Sequence, residues 1–184
     1  MTGAAPLVKR ALDWAATQHH GQARKYPGVH VPYMSHIAGV VARLARHGFD
    51  DVVLAAGALH DTVEDTGTSY EEISALFGAP VAELVRHTSE EDKSLPWEER
   101  KARYLERFPA KPWEAQAITL ADKIDNLESI AVCAALHGDP WAMLKRGRDV
   151  QISRFDALLE AARALPPHPL VDELALAIDA VRAL

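Results

Sequence analysis

The chain has 184 residues, of which 48% are hydrophobic and 25% charged, with a net charge of −6. That length and balance fit one soluble domain over 1–184 with its own core, and the acidic sign argues against nucleic acid as a partner, because phosphate backbones bind basic surfaces. No apolar run approaches the roughly 20 residues that span a bilayer, no basic segment precedes an apolar stretch at the N-terminus, and the one cysteine, Cys133, excludes an internal disulfide and a cysteine-rich zinc site, so the expectation is a cytoplasmic protein without a membrane partner.

The pattern along the chain is helical almost throughout. Residues 6 to about 20 read as a first helix, with Leu7, Ala11, Leu12 and Ala15 on one face. A loop rich in Gly, Pro and basic residues follows over 21–33. A second helix runs over 35–47 and is closed by Gly48. Asp50 can cap a third, which is apolar on all sides from Val52 to Leu59 and is expected to continue through His60, Asp61, Val63 and Glu64 until Gly67 breaks it. Ser69 and Glu72 have the spacing of a capping box for a short fourth helix ending at Gly78. Further helices are expected over 79–88, 96–108, 113–136, 141–165 and 170–184, with a charged connector at 89–95. No convincing period-2 run occurs. The fold class is all-α, a multi-helix bundle in which misplaced polar residues should mark the site.

The third helix delivers such residues. An all-round apolar helix is a buried one, yet this one ends in His60-Asp61 and Glu64-Asp65. Positions three and four apart share a helix face, so four ionisable groups crowd one end of a core helix. Either they cap a turn at the surface, or they need cations, because unpaired buried charge is costly. Two more segments favour the second reading. His36 enters the first turn of a helix whose later turns are apolar (Ile37, Val40, Val41, Leu44), and Asp122 drops into the apolar run 117–121, with Asn126 one turn on and Ser129 about two turns on. His36, His60, Asp61 and Asp122, from three helices, make a mixed nitrogen and oxygen donor set that suits a transition metal better than calcium.

These residues carry a family resemblance. His36, His60-Asp61 and Asp122 match the H…HD…D signature of the HD superfamily. His20-Gly21-Gln22-Ala23-Arg24-Lys25 and Pro32-Tyr33-Met34-Ser35-His36 resemble the opening of the RelA/SpoT-type hydrolase domain. Leu59 to Thr66 resembles its HD-plus-ED block, and Leu120 to Leu127 its third block. The match runs from about Ala11 to Ile130. The chain leaves no room for the synthetase and regulatory domains of the long enzymes, so it is similar to the stand-alone small alarmone hydrolases, the animal type above all.

The resemblance implies an HD-domain bundle that hydrolyses the 3′-pyrophosphate of ppGpp or pppGpp, with one Mn²⁺ held by His36, His60, Asp61 and Asp122. It implies that Glu64 and Asp65 orient and deprotonate the attacking water. Arg24 and Lys25, the basic pair nearest His36, are expected to face the pyrophosphate or stack on the base, and Asn126 and Ser129 to bond ribose or phosphates. Alternatives are another nucleotide phosphohydrolase, such as an NADPH 2′-phosphatase or a nucleotidase, and a non-catalytic alarmone sensor. The chain departs from the family at Ile37, where proline is usual, and in a longer 24–36 loop. Past Ala131 the family's late arginine and tyrosine have no clear match: Arg146, Arg148 and Arg154 are candidates for the first, and no tyrosine follows Tyr104. Lys93, Arg100 and Lys101 are expected as solvated charges that add positive potential, the remaining histidines as surface groups, Cys133 as a small buried hydrophobe, and Trp97, Trp113 and Trp141 as packing residues.

Overall fold

A helix with no polar side has to run through the middle of its neighbours, and α3 (Asp51–Leu59) does so: Val53, Ala55, Ala56, Gly57, Ala58 and Leu59 are all buried. The computed structural model describes residues 6–90, 94–144 and 146–184, except for the side chain of Met143. Lys93 therefore lies outside the described residues. The Asp50 side chain caps α3 by accepting from the Val52 and Val53 amides. Around it pack α1 (Leu7–Gln18), α2 (Met34–Arg46), α6 (Ala79–Thr88) and α8 (Trp113–Leu136). The small side chains of α3 let these neighbours approach closely. Fully buried Ile37, Leu44, Leu59, Ile118, Leu120 and Ile124 fill the space between them, and each contributes roughly 1.5–3 kcal/mol of transfer free energy.

The expected third helix does not run on to Glu64. It stops at Leu59, the chain turns at His60 and Asp61, and a four-residue helix, α4 (Thr62–Asp65), resumes. The Thr62 hydroxyl donates to the Leu59 carbonyl at 2.7 Å. A hydroxyl bonding back to the main chain competes with the helical ladder, and here it accompanies the break. The remaining α-helices are α5 (Tyr70–Phe77), α7 (Trp97–Arg107), α9 (Arg148–Arg163) and α10 (Pro169–Arg182), and a 3₁₀ turn, Phe108–Ala110, follows α7. The capping box at Ser69 and Glu72 forms as its spacing predicts. The helix expected over 141–165 is instead a 3₁₀ turn, Pro140–Met143, followed by α9. Pro140 is confined to a first turn because it lacks an N–H, and Gly147 takes an extended conformation that starts α9 afresh.

Among the described residues no strand forms. A single antiparallel bridge, Ala23 to Pro32, pins the long loop between α1 and α2, with the Arg24 amide donating to Val31 at 2.8 Å. Gly28, at φ +67°, supplies the left-handed turn at its tip. The helix α10 lies across α8 and α9 and is tied to α2 through Glu173. That carboxylate accepts from Arg43 Nε at 2.9 Å, from Arg46 at 2.9 Å and from His47 at 2.8 Å. His47 is thus a half-buried partner of Glu173, not the solvated surface group that its sequence position suggests.

Burial pushes the Glu173 carboxyl up, but the bonds from Arg43 and His47 and the Arg46 charge outweigh it and hold the group below the usual glutamate range. A depressed folded value means that this stabilisation is present above the unfolded value and lost as pH falls through the folded one. Glu173→Gln should therefore lower stability near neutral pH. The gap to wild type, read from urea unfolding, should close as pH drops below about 4.

Candidate metal centre and its cleft

Three elements meet at the end of α3. The helix α2 contributes His36 from its first turn, the turn after α3 contributes His60 and Asp61, and α8 contributes Asp122 from its buried middle. His36, His60 and Asp122 each offer an atom within 4.8 Å of the others. The two imidazole Nε2 atoms stand 3.3 Å apart. Asp61 Oδ2 lies 3.0 Å from His60 Nε2 and 3.5 Å from His36 Nε2, and Asp122 Oδ1 lies 3.5 Å from His36 Nε2. The structure thus brings together all four donors that the sequence singles out.

Each donor is oriented from behind. His36 Nδ1 bonds Asp125 Oδ2 at 2.6 Å, and His60 Nδ1 bonds the Gly57 carbonyl at 2.8 Å. In their neutral, metal-binding form both rings would keep their proton on Nδ1 and turn an Nε2 lone pair to the centre, as ligating histidines do. The Tyr33 hydroxyl donates to Asp61, and Lys123 and Asn126 donate to Asp122. Burial pushes both imidazoles down, but the bond from Asp125 for His36 and the charge of Asp61 for His60 reverse this, and His60 is raised to about 9. Burial pushes both aspartates up, and the neighbouring imidazoles, with Lys123 beside Asp122, hold them below the usual range, Asp61 well below. Two lone pairs and two carboxylates facing one point fit a divalent cation by charge and by donor chemistry.

The centre opens into a cleft of two joined parts. The inner part, about 310 Å³, is lined by His60, Asp61, Glu64, Asp65, Tyr104 and Asp122 among others. The outer part, about 330 Å³, is lined by Arg24, Tyr26, Ser129, Ile130, Cys133 and Phe155 among others. Lys25, Lys101, Lys123, Asn126 and Arg154 line both. Glu64 accepts from the Glu90 amide at 2.9 Å. Burial raises its pKa, and the Asp61 charge adds to this against the Glu90 bond. Asp65 accepts from Gln22 at 2.8 Å. Arg24 donates to Asn126 at 3.0 Å and Ser129 at 2.8 Å, so these three expected contacts form one wall of the cleft. Lys25 sits exposed at its edge.

The fold selects among the three arginine candidates. Arg154 lines the cleft, whereas Arg146 pairs with Glu98 and Arg148 bonds the Arg182 carbonyl. Lys101 is not a solvated helix charge: it lines the cleft and pairs with Glu90. Arg100 makes its ion pair with the same Glu90. Trp97 packs as expected, but half-buried and outside the apolar core: it lies under the guanidinium groups of Arg146 and Arg154, each 4.6 Å from its ring centroid. His19, expected at the surface, is only 3% exposed. Cys133 is buried as expected and also lines the cleft. Sequence reasoning did not assign roles to Tyr33, Lys123 and Asp125. The signal available was Asp125 itself, a second carboxylate on the same face of α8, three positions after Asp122.

Comparison with known proteins places the same architecture elsewhere. The family model described as HD domain matches residues 11–145. The guanosine-3′,5′-bis(diphosphate) 3′-pyrophosphohydrolase MESH1 of Xenopus tropicalis is 41% identical over 135 residues, covering 72% of this chain and 74% of that protein. The protein of the same name from Homo sapiens is 43% identical over 136 residues, covering 72% and 74%. The solved structure of a metazoan ortholog of SpoT, which hydrolyses ppGpp and plays a role in starvation responses, superposes with a TM-score of 0.80 at 32% identity, covering 100% of this chain and 97% of that one.

Gly39 lies one turn after His36, and a Cβ there would overlap the Asp125 carboxylate. Gly39→Ala should push Asp125 off His36 Nδ1. The expected result is a loss of divalent-metal affinity of roughly 10- to 100-fold, the size seen when groups behind a metal ligand are removed, measured by calorimetric titration with the fold checked by circular dichroism.

Proposed function

The chain belongs to the HD domain family, and from that premise we propose that it hydrolyses the 3′-diphosphate of guanosine 3′,5′-bis(diphosphate), ppGpp or pppGpp, to GDP or GTP and inorganic pyrophosphate. One observation carries the reading: the buried His36, His60 and Asp122 group, with Asp61 beside it, and the adjacent Glu64–Asp65 pair stand at a cleft lined by Lys25, Lys101, Lys123 and Arg154. Such a cleft takes a small polyanion despite the acidic net charge of the chain. The curated relatives bear the name of this activity along most of their length.

His36, His60, Asp61 and Asp122 would hold the ion; the mixed nitrogen and oxygen set suits a transition metal, and the family resemblance implies Mn²⁺. A divalent ion supplies Lewis-acid polarisation of a phosphoryl oxygen and makes a water more acidic. The chain's own groups do the rest. Glu64, whose burial raises its proton affinity, takes the proton of the attacking water, and Asp65 orients that water. The water oxygen bonds to the phosphorus attached to the ribose 3′-oxygen. The bond from phosphorus to that oxygen breaks, and the oxygen leaves with a proton from solvent. Lys123 and Arg154 face the diphosphate charge, while Arg24 fixes Asn126 and Ser129 along the nucleoside side of the cleft.

A second reading, removal of a phosphate from a dinucleotide such as NADPH, is favoured by a groove of about 540 Å³ between α7 and α9. It shares Lys101, Lys123 and Arg154 with the cleft and offers room for a second half-molecule. A panel of ppGpp, pppGpp and NADPH separates the two.

Pyrophosphate release from ppGpp should appear with Mn²⁺ and vanish on chelation. Glu64→Gln should keep its metal and lose roughly 10²–10⁴-fold in kcat, the usual span of general-base assistance. Asp122→Ala should lose metal and turnover together, as read by metal analysis of the purified protein beside the assay. Tight ppGpp binding with no phosphate release would replace the hydrolase with a sensor.

A further inference from the structure

A buried imidazole outside the candidate donor set sits behind the cleft. His19 ends α1 and is 3% exposed. Its Nδ1 lies 2.7 Å from Gln22 Oε1, and Gln22 Nε2 lies 2.8 Å from Asp65 Oδ2. Among the described residues, Gln22 is the group that hydrogen-bonds the Asp65 side chain. An ionised carboxylate only accepts, so the Gln22 amide must turn its NH₂ to Asp65 and its oxygen to His19. That oxygen in turn requires a proton on His19 Nδ1. The other ring nitrogen, Nε2, is buried with no hydrogen-bond partner, which suits a bare lone pair better than an N–H.

The main chain of Gln22 is pinned on both sides. Its amide donates to the His19 carbonyl at 3.0 Å, and its carbonyl accepts from the Tyr33 amide at 2.9 Å. The same His19 ring packs on Tyr33, centroids 4.9 Å apart, and the Tyr33 hydroxyl donates to Asp61. One imidazole therefore backs two carboxylates of the site, Asp61 through Tyr33 and Asp65 through Gln22. Asp65 needs such a hold, because it ends a helix of four residues and its side chain is exposed.

We propose that Gln22, fixed by the Nδ1–H of His19, is a positioning residue that aims the Asp65 carboxylate at the attacking water. The inference rests on the role given to Asp65 in the proposed function. By occupying Oδ2, Gln22 fixes the carboxylate's rotation and leaves Oδ1 to the water. A misaimed group lowers turnover without lowering affinity, since the contact is made by the reacting water and not by the nucleotide.

Two measurements test this. In metal-free protein, ¹⁵N spectra of the imidazoles should show His19 protonated at Nδ1, with that proton protected from exchange, and Gln22→Ala should abolish the protection. A proton on Nε2 instead would overturn the chain of bonds. In steady-state hydrolysis of ppGpp, Gln22→Ala should lower kcat roughly 10- to 100-fold with KM within about twofold, and should have no further effect when added to Asp65→Ala. His19→Asn, whose amide can replace the Nδ1–H, should stay near wild type, and His19→Leu should behave like Gln22→Ala. A change in KM alone, an unchanged kcat in Gln22→Ala, or an additive double variant would overturn the inference. Full turnover in Asp65→Ala would instead sink the role given to Asp65, while the spectra would still decide whether His19 and Gln22 are joined as described.

Discussion

Two imidazole nitrogens aimed at each other across 3.3 Å, with two carboxylates beside them, cannot sit at the end of an apolar helix without positive charge between them. Much of the surrounding structure serves that demand. Asp125 and the Gly57 carbonyl hold the ring protons at the rear, so that the lone pairs face inward. Tyr33, Lys123 and Asn126 hold the two aspartates. The absence of a side chain at Gly39 lets Asp125 reach His36 from α8. The core helix α3 contributes through its own smallness, which brings α2 and α8 close enough for their side chains to meet.

The groups around this centre stand on elements of very different length. The candidate donors stand on the long helices α2 and α8 or in the turn that follows α3. The pair expected to handle water, Glu64 and Asp65, stands on a single short turn, α4, that the Thr62 back-bond separates from α3. Side chains on so short an element depend on bonds from elsewhere, and these come from the Glu90 amide to Glu64 and from Gln22 to Asp65. Positive charge is drawn from every side of the cleft: the loop before α2, the helix α7, α8 and α9. This local concentration explains how a chain of net charge −6 presents a site suited to phosphates.

How far the sequence could be read follows from distance along the chain. The capping of α3 and α5, the extent of α8 and the burial of α3 are local properties, set by spacing within a few turns, and they agree with expectation. The break at His60 and the split before α9 are also local, but they go with a hydroxyl bond and a glycine conformation that periodicity does not register. The sequence could not tell Arg154 from Arg146 and Arg148, nor place Lys101 in a cleft, because a charged residue on an amphipathic helix looks the same whether its face meets solvent or a cleft.

By itself the sequence determined the all-helical class and singled out His36, His60, Asp61 and Asp122 as candidate donors, because histidine and aspartate placed within apolar helices need a partner charge. Only the tertiary structure decided what stands behind those donors. Asp125 lies 89 positions from His36, and Asn126 lies 102 from Arg24. No helical period links such pairs, and they meet because α8 packs against α2 and the loop before it, a consequence of how the whole core closes.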